Sequence, residues 1–369
     1  MILKINNESK LFEDIKQNDK KVIIYGAGMV GKIVMPYLVC KYGIHSNIDC
    51  FVDADSQKVG NNIVISGISY KINSIDYLKK NGADKIILVT NTKFMSIIEF
   101  LNSIDTLNNS EVYIVPMMLL EKADNSEDIA IVHREKKQLI PKKINYCWFG
   151  GNNMPVFLVQ CIESWKRLCQ DYEIIEWSEK NYDIKRHKYT YDAYKNAKYG
   201  FVSDVARLDI LYENGGLYLD TDVTLLKKPD DLLYQQGFMN VEKWGNINSG
   251  GGCGFAPKNK MVRSLLEYRD KFEFIRDNGT LDLSTNGIFE TKIFLDKGYI
   301  PNNKLQVIEG ITVYPSYIAH PYDYMSGEIK CRENTISIHH FYGGWMEKTD
   351  LEVRQKTKEN YKKVLNMIK

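Results

Sequence analysis

The stretch "GGLYLDTDVTLL", residues 215–226, ends an apolar run in two carboxylates two residues apart, Asp220 and Asp222. Side chains at i and i+2 of an extended chain point the same way, so the pair can close on one hard cation or bracket one ligand. Like carboxylates side by side repel unless a cation or hydrogen-bond donors offset them. Mg²⁺ or Mn²⁺ held by one or two carboxylates together with phosphate oxygens is the usual arrangement in nucleotide and phosphate-transfer sites. The plainer reading makes both residues only the polar end of an edge strand.

The pair follows "FVSDVARLDILYENGG", in which Ser203 reads as a helix cap and Asn214-Gly215-Gly216 as the stop after a helix to about Glu213. A short strand carrying Asp220 and Asp222 comes next. On the helix, Asp204, Arg207, Leu208 and Leu211 stand at i, i+3, i+4 and i+7, so a carboxylate and a guanidinium share the core-facing stripe and need partners there. A lone intrahelical pair would contribute only about 0.3–0.5 kcal/mol. Three further segments hold polar candidates: "NINSGGGCGFAPKN" with Asn246 and Asn248, "STNGIFETKIF" with Asn286 and Glu290, and "SIHHFYGGWM" with His339, His340 and Trp345.

These residues need a scaffold, and the chain offers two different patterns. Residues 22 to 116 alternate β-rich runs with helical stretches, which is the order of a parallel βαβ sheet. Its first strand runs into Gly26-Ala27-Gly28-Met29-Val30-Gly31, with Asp53 at the end of the next, the spacing of a dinucleotide-binding turn. The same turn also serves purely as a close-packing device. A charged stretch after Leu119 ends at Pro141, and a second α/β segment opens at "INYCWFGG". We therefore expect domains at 1–120 and 140–369 with a linker at 121–139. The tail "LEVRQKTKENYKKVLNMIK" reads first as a helix packed on its own domain and second as a basic face for anionic lipid.

The totals narrow the function. Among 369 residues, 49 Lys and Arg against 47 Asp and Glu give a formal charge of +2, far from the basic excess of a nucleic-acid binder. Seven cysteines with no CxxC pair suit free thiols in a reducing compartment, and no apolar stretch of about 18 residues is present to span a bilayer. The N-terminus lacks the apolar core of a signal peptide, so we expect a cytoplasmic protein, at most peripheral at the inner face of the cell membrane.

From "IPKKINYCWFGG" to "SIHHFYGGWM", with "SDVARLDILYENGGLYLDTDV" between them, the sequence closely resembles glycosyltransferase family 32, which includes bacterial capsule and lipopolysaccharide sugar transferases. The resemblance implies an α/β fold with a C-terminal GT-A-type glycosyltransferase domain, here preceded by a small Rossmann-like domain. It also implies a nucleotide-sugar donor, Mn²⁺ or Mg²⁺, and retention at the anomeric carbon. On that basis Trp148 stacks on the donor base, while Asp204, Arg207 and Asp220 meet ribose, sugar or phosphate. Asp222 ligates the metal, and His340 and Trp345 close over the diphosphate and metal. Gly344 stands where the family commonly has Ser. Asn248 is a candidate for reading sugar hydroxyls. A UDP-hexose or UDP-N-acetylhexosamine donor is the expectation, with a glycan or lipid-linked glycan as acceptor in surface polysaccharide synthesis and the first domain as a possible dimerisation module. GDP-mannose is the alternative donor. An NAD-dependent oxidoreductase built on Gly26 to Asp53 is the rival from another class, and a binding protein without turnover is the third reading.

Overall fold

The β-branched runs of the first half form strands whose two faces are both covered, so all four residues of Val22–Tyr25 and of Ile86–Val89 are buried. In this computed structural model, which describes residues 1–4, 7–92, 94–125, 127–344 and 348–368, the chain divides into two compact units. One comprises Met1–Ser126, Met325–Gly327 and Lys348–Lys369, the other Glu127–Tyr324 and Glu328–Glu347.

The first unit holds a seven-stranded sheet in the order Ile2–Lys4, Glu111–Ile114, Ile86–Val89, Val22–Tyr25, Ile48–Val52, Ile68–Asn73, Asn62–Ile65. All neighbours run parallel except the last pair. The central strand Val22–Tyr25 leads into Gly26, whose φ of +116° is a region that side chains disfavour. A Cβ on Gly31 would lie 2.1 Å from the Gly26 carbonyl oxygen, so the turn closes this tightly only with glycine there. Asp53 is bound to the same turn: its carboxylate accepts the Ala27 amide at 2.7 Å and the Asp55 amide at 2.9 Å. The C-terminal helix Lys348–Met367, expected within a domain ending at 369, groups with this unit, where it packs near the helix Phe94–Asn102. Its Thr357 and Val364 are buried, as apolar and small positions on one stripe of a basic helix should be.

The second unit is built on a mixed sheet in the order Gln306–Ile308, Ile311–Tyr314, Gly237–Val241, Cys253–Phe255, Gly216–Tyr218, Lys143–Cys147, Glu173–Trp177. Of residues 121–139, expected as a linker, 121–124 end the helix Val115–Asp124 of the first unit, and 127–139 pack onto the second unit: Arg134 and Glu135 donate their amides to the Tyr234 carbonyl, and Leu139 donates to Leu233. Hydrogen bonding to an existing loop satisfies a segment that has no periodicity of its own. All seven cysteines are free thiols, five of them buried. Among the described residues, no helix is long and apolar enough to cross a membrane.

A separate two-stranded sheet pairs Val223–Leu225 with Ser337–His339, Val223 opposite His339. The helix Val156–Leu168 anchors it. Fully buried Trp165 donates its indole N–H to the Val223 carbonyl at 2.7 Å, and Ser164 Oγ accepts the Leu225 amide at 2.9 Å. Replacing Trp165 with Ala removes a large core side chain and leaves that carbonyl unpaired. The expected cost is about 3–5 kcal/mol, read as a lowered denaturant midpoint of the second unit; an unchanged midpoint would show that Trp165 does not anchor the small sheet.

Candidate active site

The helix Tyr199–Asn214 begins one turn before the expected cap at Ser203. Ser203 sits inside it and returns its hydroxyl to the Tyr199 carbonyl at 3.2 Å, the bond that lets serine occupy a helix interior. Asp204 and Arg207 therefore lie mid-helix. Arg207 is only 3% exposed, and a buried guanidinium is tolerated only when its donors are matched. Nη2 lies 2.9 Å from Asp204 Oδ1 and 3.1 Å from Asp220 Oδ1, Nη1 donates to Ser249 Oγ at 3.2 Å, and Nε donates to the Ser203 carbonyl at 3.2 Å. The guanidinium also lies over the Tyr218 ring, 4.8 Å from its centroid. Burial raises the Asp204 carboxyl above its ordinary range, a shift that Arg207 opposes.

Asp220 and Asp222 occupy the turn between Gly216–Tyr218 and Val223–Leu225, not a strand. The chain has to leave the main sheet and enter the small one here, and the Val223 amide closes the turn on the Asp220 carbonyl at 3.0 Å. Asp222 Oδ2 accepts the Tyr342 amide at 2.7 Å, and Oδ1 lies 3.3 Å from His339 Nε2. Burial alone would raise this carboxyl; the charge and hydrogen bond of His339 and the Tyr342 amide outweigh it and bring it down to about 2. His339 is raised in turn, because Asp222 outweighs its burial.

One ligand atom each from Asp220, Asp222 and His339 lies within 4.8 Å of the others. Two carboxylate oxygens and one imidazole nitrogen form a donor set that suits Mn²⁺, and its carboxylates suit Mg²⁺. His340, the histidine expected in this role, faces the other way. Its Nε2 lies 2.9 Å from Thr224 Oγ1 and its ring packs edge-on to Phe157. Successive residues at a strand end point to opposite faces, so only one of two adjacent histidines can turn toward the carboxylates. Trp345 lies outside the described residues.

Asn248 supports the site from behind. Its Oδ1 accepts the Gly250 amide at 2.7 Å and its Nδ2 donates to Glu242 at 2.7 Å. Gly250 in turn accepts the Asp220 amide at 2.9 Å. Ser249 donates its amide to Glu290 at 2.9 Å and its hydroxyl to the same carboxylate, with Asn286 Nδ2 3.3 Å from that hydroxyl. Glu290, 2% exposed, is raised by burial. Ser249 carried no signal in the sequence beyond its place before a glycine run. Trp148 is half-buried one residue past Lys143–Cys147, a strand that pairs in parallel with Gly216–Tyr218. It thus shares with Asp220 the carboxyl edge of two adjacent parallel strands, the edge at which α/β sheets bind ligands.

Residues 155–239 match a family described as "Glycosyltransferase sugar-binding region containing DXD motif", and this span contains Asp204, Arg207, Asp220 and Asp222. The chain is 25% identical to "Subversion of eukaryotic traffic protein A" of Legionella pneumophila, over 38% of this chain and 28% of that protein. It is 26% identical to "Inositol phosphoceramide mannosyltransferase 3" of Schizosaccharomyces pombe, over 39% and 41% respectively. The match therefore spans less than half the length of either curated relative. Among solved structures, "PaToxG Glycosyltransferase" aligns with a TM-score of 0.36 at 15% identity, covering 56% of this chain and 78% of that one.

Gly250 tests the geometry directly. A Cβ there would lie 2.1 Å from Asp220 Oδ2 and 3.1 Å from Arg207 Nη1. Gly250→Ala is expected to displace the Asp220 carboxylate and weaken Mn²⁺ binding by about tenfold or more in a calorimetric titration, since each 1.4 kcal/mol of lost contact is a factor of ten. Unchanged Mn²⁺ affinity would show that Asp220 is not held where the cation binds.

Proposed function

We infer that this chain transfers a sugar from a nucleotide-sugar donor to a carbohydrate acceptor, with a divalent cation between Asp220, Asp222 and His339. The observation that carries this reading is the convergence of those three ligand atoms beside a buried Arg207, inside the region that matches the DXD glycosyltransferase family. Bound Mn²⁺ or Mg²⁺ would supply charge stabilisation for the nucleoside diphosphate as the sugar–phosphate bond breaks. Arg207 holds Asp204 and Asp220 in fixed positions. It does so through three hydrogen bonds, from Nε to the Ser203 carbonyl, from Nη1 to Ser249 Oγ and from Nη2 to Asp220, and through its ion pair with Asp204. The half-buried ring of Trp148 is the candidate for stacking on the donor base.

The resemblance read from the sequence adds retention at the anomeric carbon, a UDP-hexose or UDP-N-acetylhexosamine donor, and a surface polysaccharide as product. A mannose-nucleotide donor is the second reading, favoured by the fission-yeast relative whose name specifies mannosyl transfer. In the first unit, the five central parallel strands run 3-2-1-4-5 when numbered in chain order, and the tight turn at Gly26 follows the first of them. Both support a Rossmann-like module. The Asp53 carboxylate, engaged by the Ala27 and Asp55 amides, weighs against its use on a ribose and so against the oxidoreductase alternative. Work at the inner face of a membrane on a lipid-linked acceptor, and self-association through the first unit, complete the proposal.

Nucleoside diphosphate release from a panel of UDP- and GDP-sugars with Mn²⁺, Mg²⁺ or EDTA tests it. Release from one donor is expected to require metal and to fall at least roughly 100-fold in Asp222→Asn, the scale on which loss of one charge-stabilising group acts. Silence across the panel, with no metal-dependent nucleotide binding, would sink the reading. The two histidines separate further: His339→Ala should weaken Mn²⁺ binding about tenfold or more, whereas His340→Ala should leave it within about threefold. The reverse order would reassign the ligand.

A further inference from the structure

Away from the carboxylate site, one histidine of the second unit is flanked by acceptors on both sides. His187 immediately precedes the helix Lys188–Lys195, and its side chain is 12% exposed. Its Nδ1 lies 2.7 Å from Oδ1 of Asp270, the residue that follows the helix Lys260–Arg269. Its Nε2 lies 3.2 Å from Oδ2 of Asp209, on the helix Tyr199–Asn214. A neutral imidazole carries one N–H and one bare nitrogen, so between two carboxylates the bare nitrogen would face a lone pair. Only the imidazolium donates to both.

The other charged groups around the ring are engaged elsewhere or reinforce this arrangement. Asp209, 3% exposed, also accepts the Tyr182 hydroxyl at 3.1 Å and stands 3.0 Å from Arg186 Nε, while Arg186 Nη2 reaches Glu213 at 3.4 Å. Lys188 turns to Asp192 at 2.8 Å and to Glu273 at 3.5 Å. The hydrogen bond to Asp209 raises the His187 imidazolium above its ordinary range, and Asp270 adds to the rise against the opposing effect of burial.

The tied segments continue into the surroundings of Asp204. Arg269 directly precedes Asp270, Tyr189 is two residues past His187, and Asp204 and Arg207 share the helix of Asp209. The Arg269 guanidinium lies 4.3 Å from the Tyr189 ring centroid and 3.8 Å from that of Phe289. Burial raises the Asp204 carboxyl, and the charge of Arg269 joins that of Arg207 in opposing the rise. We propose that His187 is a proton-operated clamp: with both nitrogens protonated it ties the helix of Asp204 and Arg207 to the end of the helix of Arg269, and on losing one proton it lets go of one of the two carboxylates. The clamp operates whether or not the chain transfers a sugar. The folded chain holds this proton more tightly than the unfolded one, whose histidine titrates at about 6.5. The stabilisation is therefore complete below that pH and is lost as pH rises through the raised value of the folded chain.

The test uses the full chain. Long-range ¹H–¹⁵N NMR of the imidazoles over roughly pH 5.5 to 9 is expected to show His187 doubly protonated at neutral pH and titrating above the ordinary value of about 6.5, with Asp270→Asn moving that titration to lower pH. In urea unfolding across the same window, the folding equilibrium constant of the unaltered chain should fall with rising pH more steeply than that of His187→Gln, by up to about tenfold per pH unit. Comparison with His187→Gln removes the contribution of His339, which is raised as well. His187 titrating at or below about 6.5, or equal pH slopes in the unaltered chain and His187→Gln, would overturn the clamp. If His187→Gln fails to fold, the titrations of His187 in the unaltered chain and in Asp270→Asn decide it.

Discussion

A guanidinium sealed from water must be surrounded by acceptors, and Arg207 imposes this constraint on the whole second unit. It draws Asp204 from its own helix, Asp220 from the turn beyond the neighbouring strand, and Ser249 from the glycine run into one network. Fixing Asp220 fixes the turn, and the turn delivers Asp222 to His339 and to the Tyr342 amide. A site that concentrates negative charge is thus organised by one buried positive charge. Asp220, Asp222 and His339 are left grouped closely enough that they could hold a divalent cation.

Glycine supplies the space. Side chains at 250 and 251 would collide with Asp220 and with His320 respectively, so the backbone of this segment packs directly against both. Behind it, Ser249, Asn286 and Glu290 hold the segment in place, and Asn248 ties it to Glu242. The small sheet on the other side depends on Trp165 and Ser164, whose hydrogen bonds fix Val223 and Leu225 directly after the turn.

Much of this was legible in the sequence. The i, i+3, i+4, i+7 spacing placed Asp204 and Arg207 on one face of a helix, Asn214-Gly215 marked its end, and the two carboxylates stood out because like charges side by side repel unless a cation or donors offset them. Long-range register was not legible. Which of His339 and His340 faces Asp222 depends on the pairing of Val223 with His339, a contact across more than a hundred residues. That Asp220 and Asp222 sit in a turn depends on the chain changing sheets, and that Ser203 lies inside a helix depends on an extra turn with no cap signal. The C-terminal helix could not be assigned to a unit from its own amphipathicity, since a basic helix with one apolar stripe can bury that stripe against either. In the first unit the glycine turn was clear, but the use of Asp53 to bind that turn is set by tertiary geometry.

The most direct measurement is an anomalous difference map from crystals grown with Mn²⁺ and UDP. The account predicts one strong peak at coordination distance from Asp222 and His339, with Asp220 beside it and the diphosphate completing the shell. A peak coordinated by His340, or Mn²⁺ bound away from both carboxylates, would contradict it.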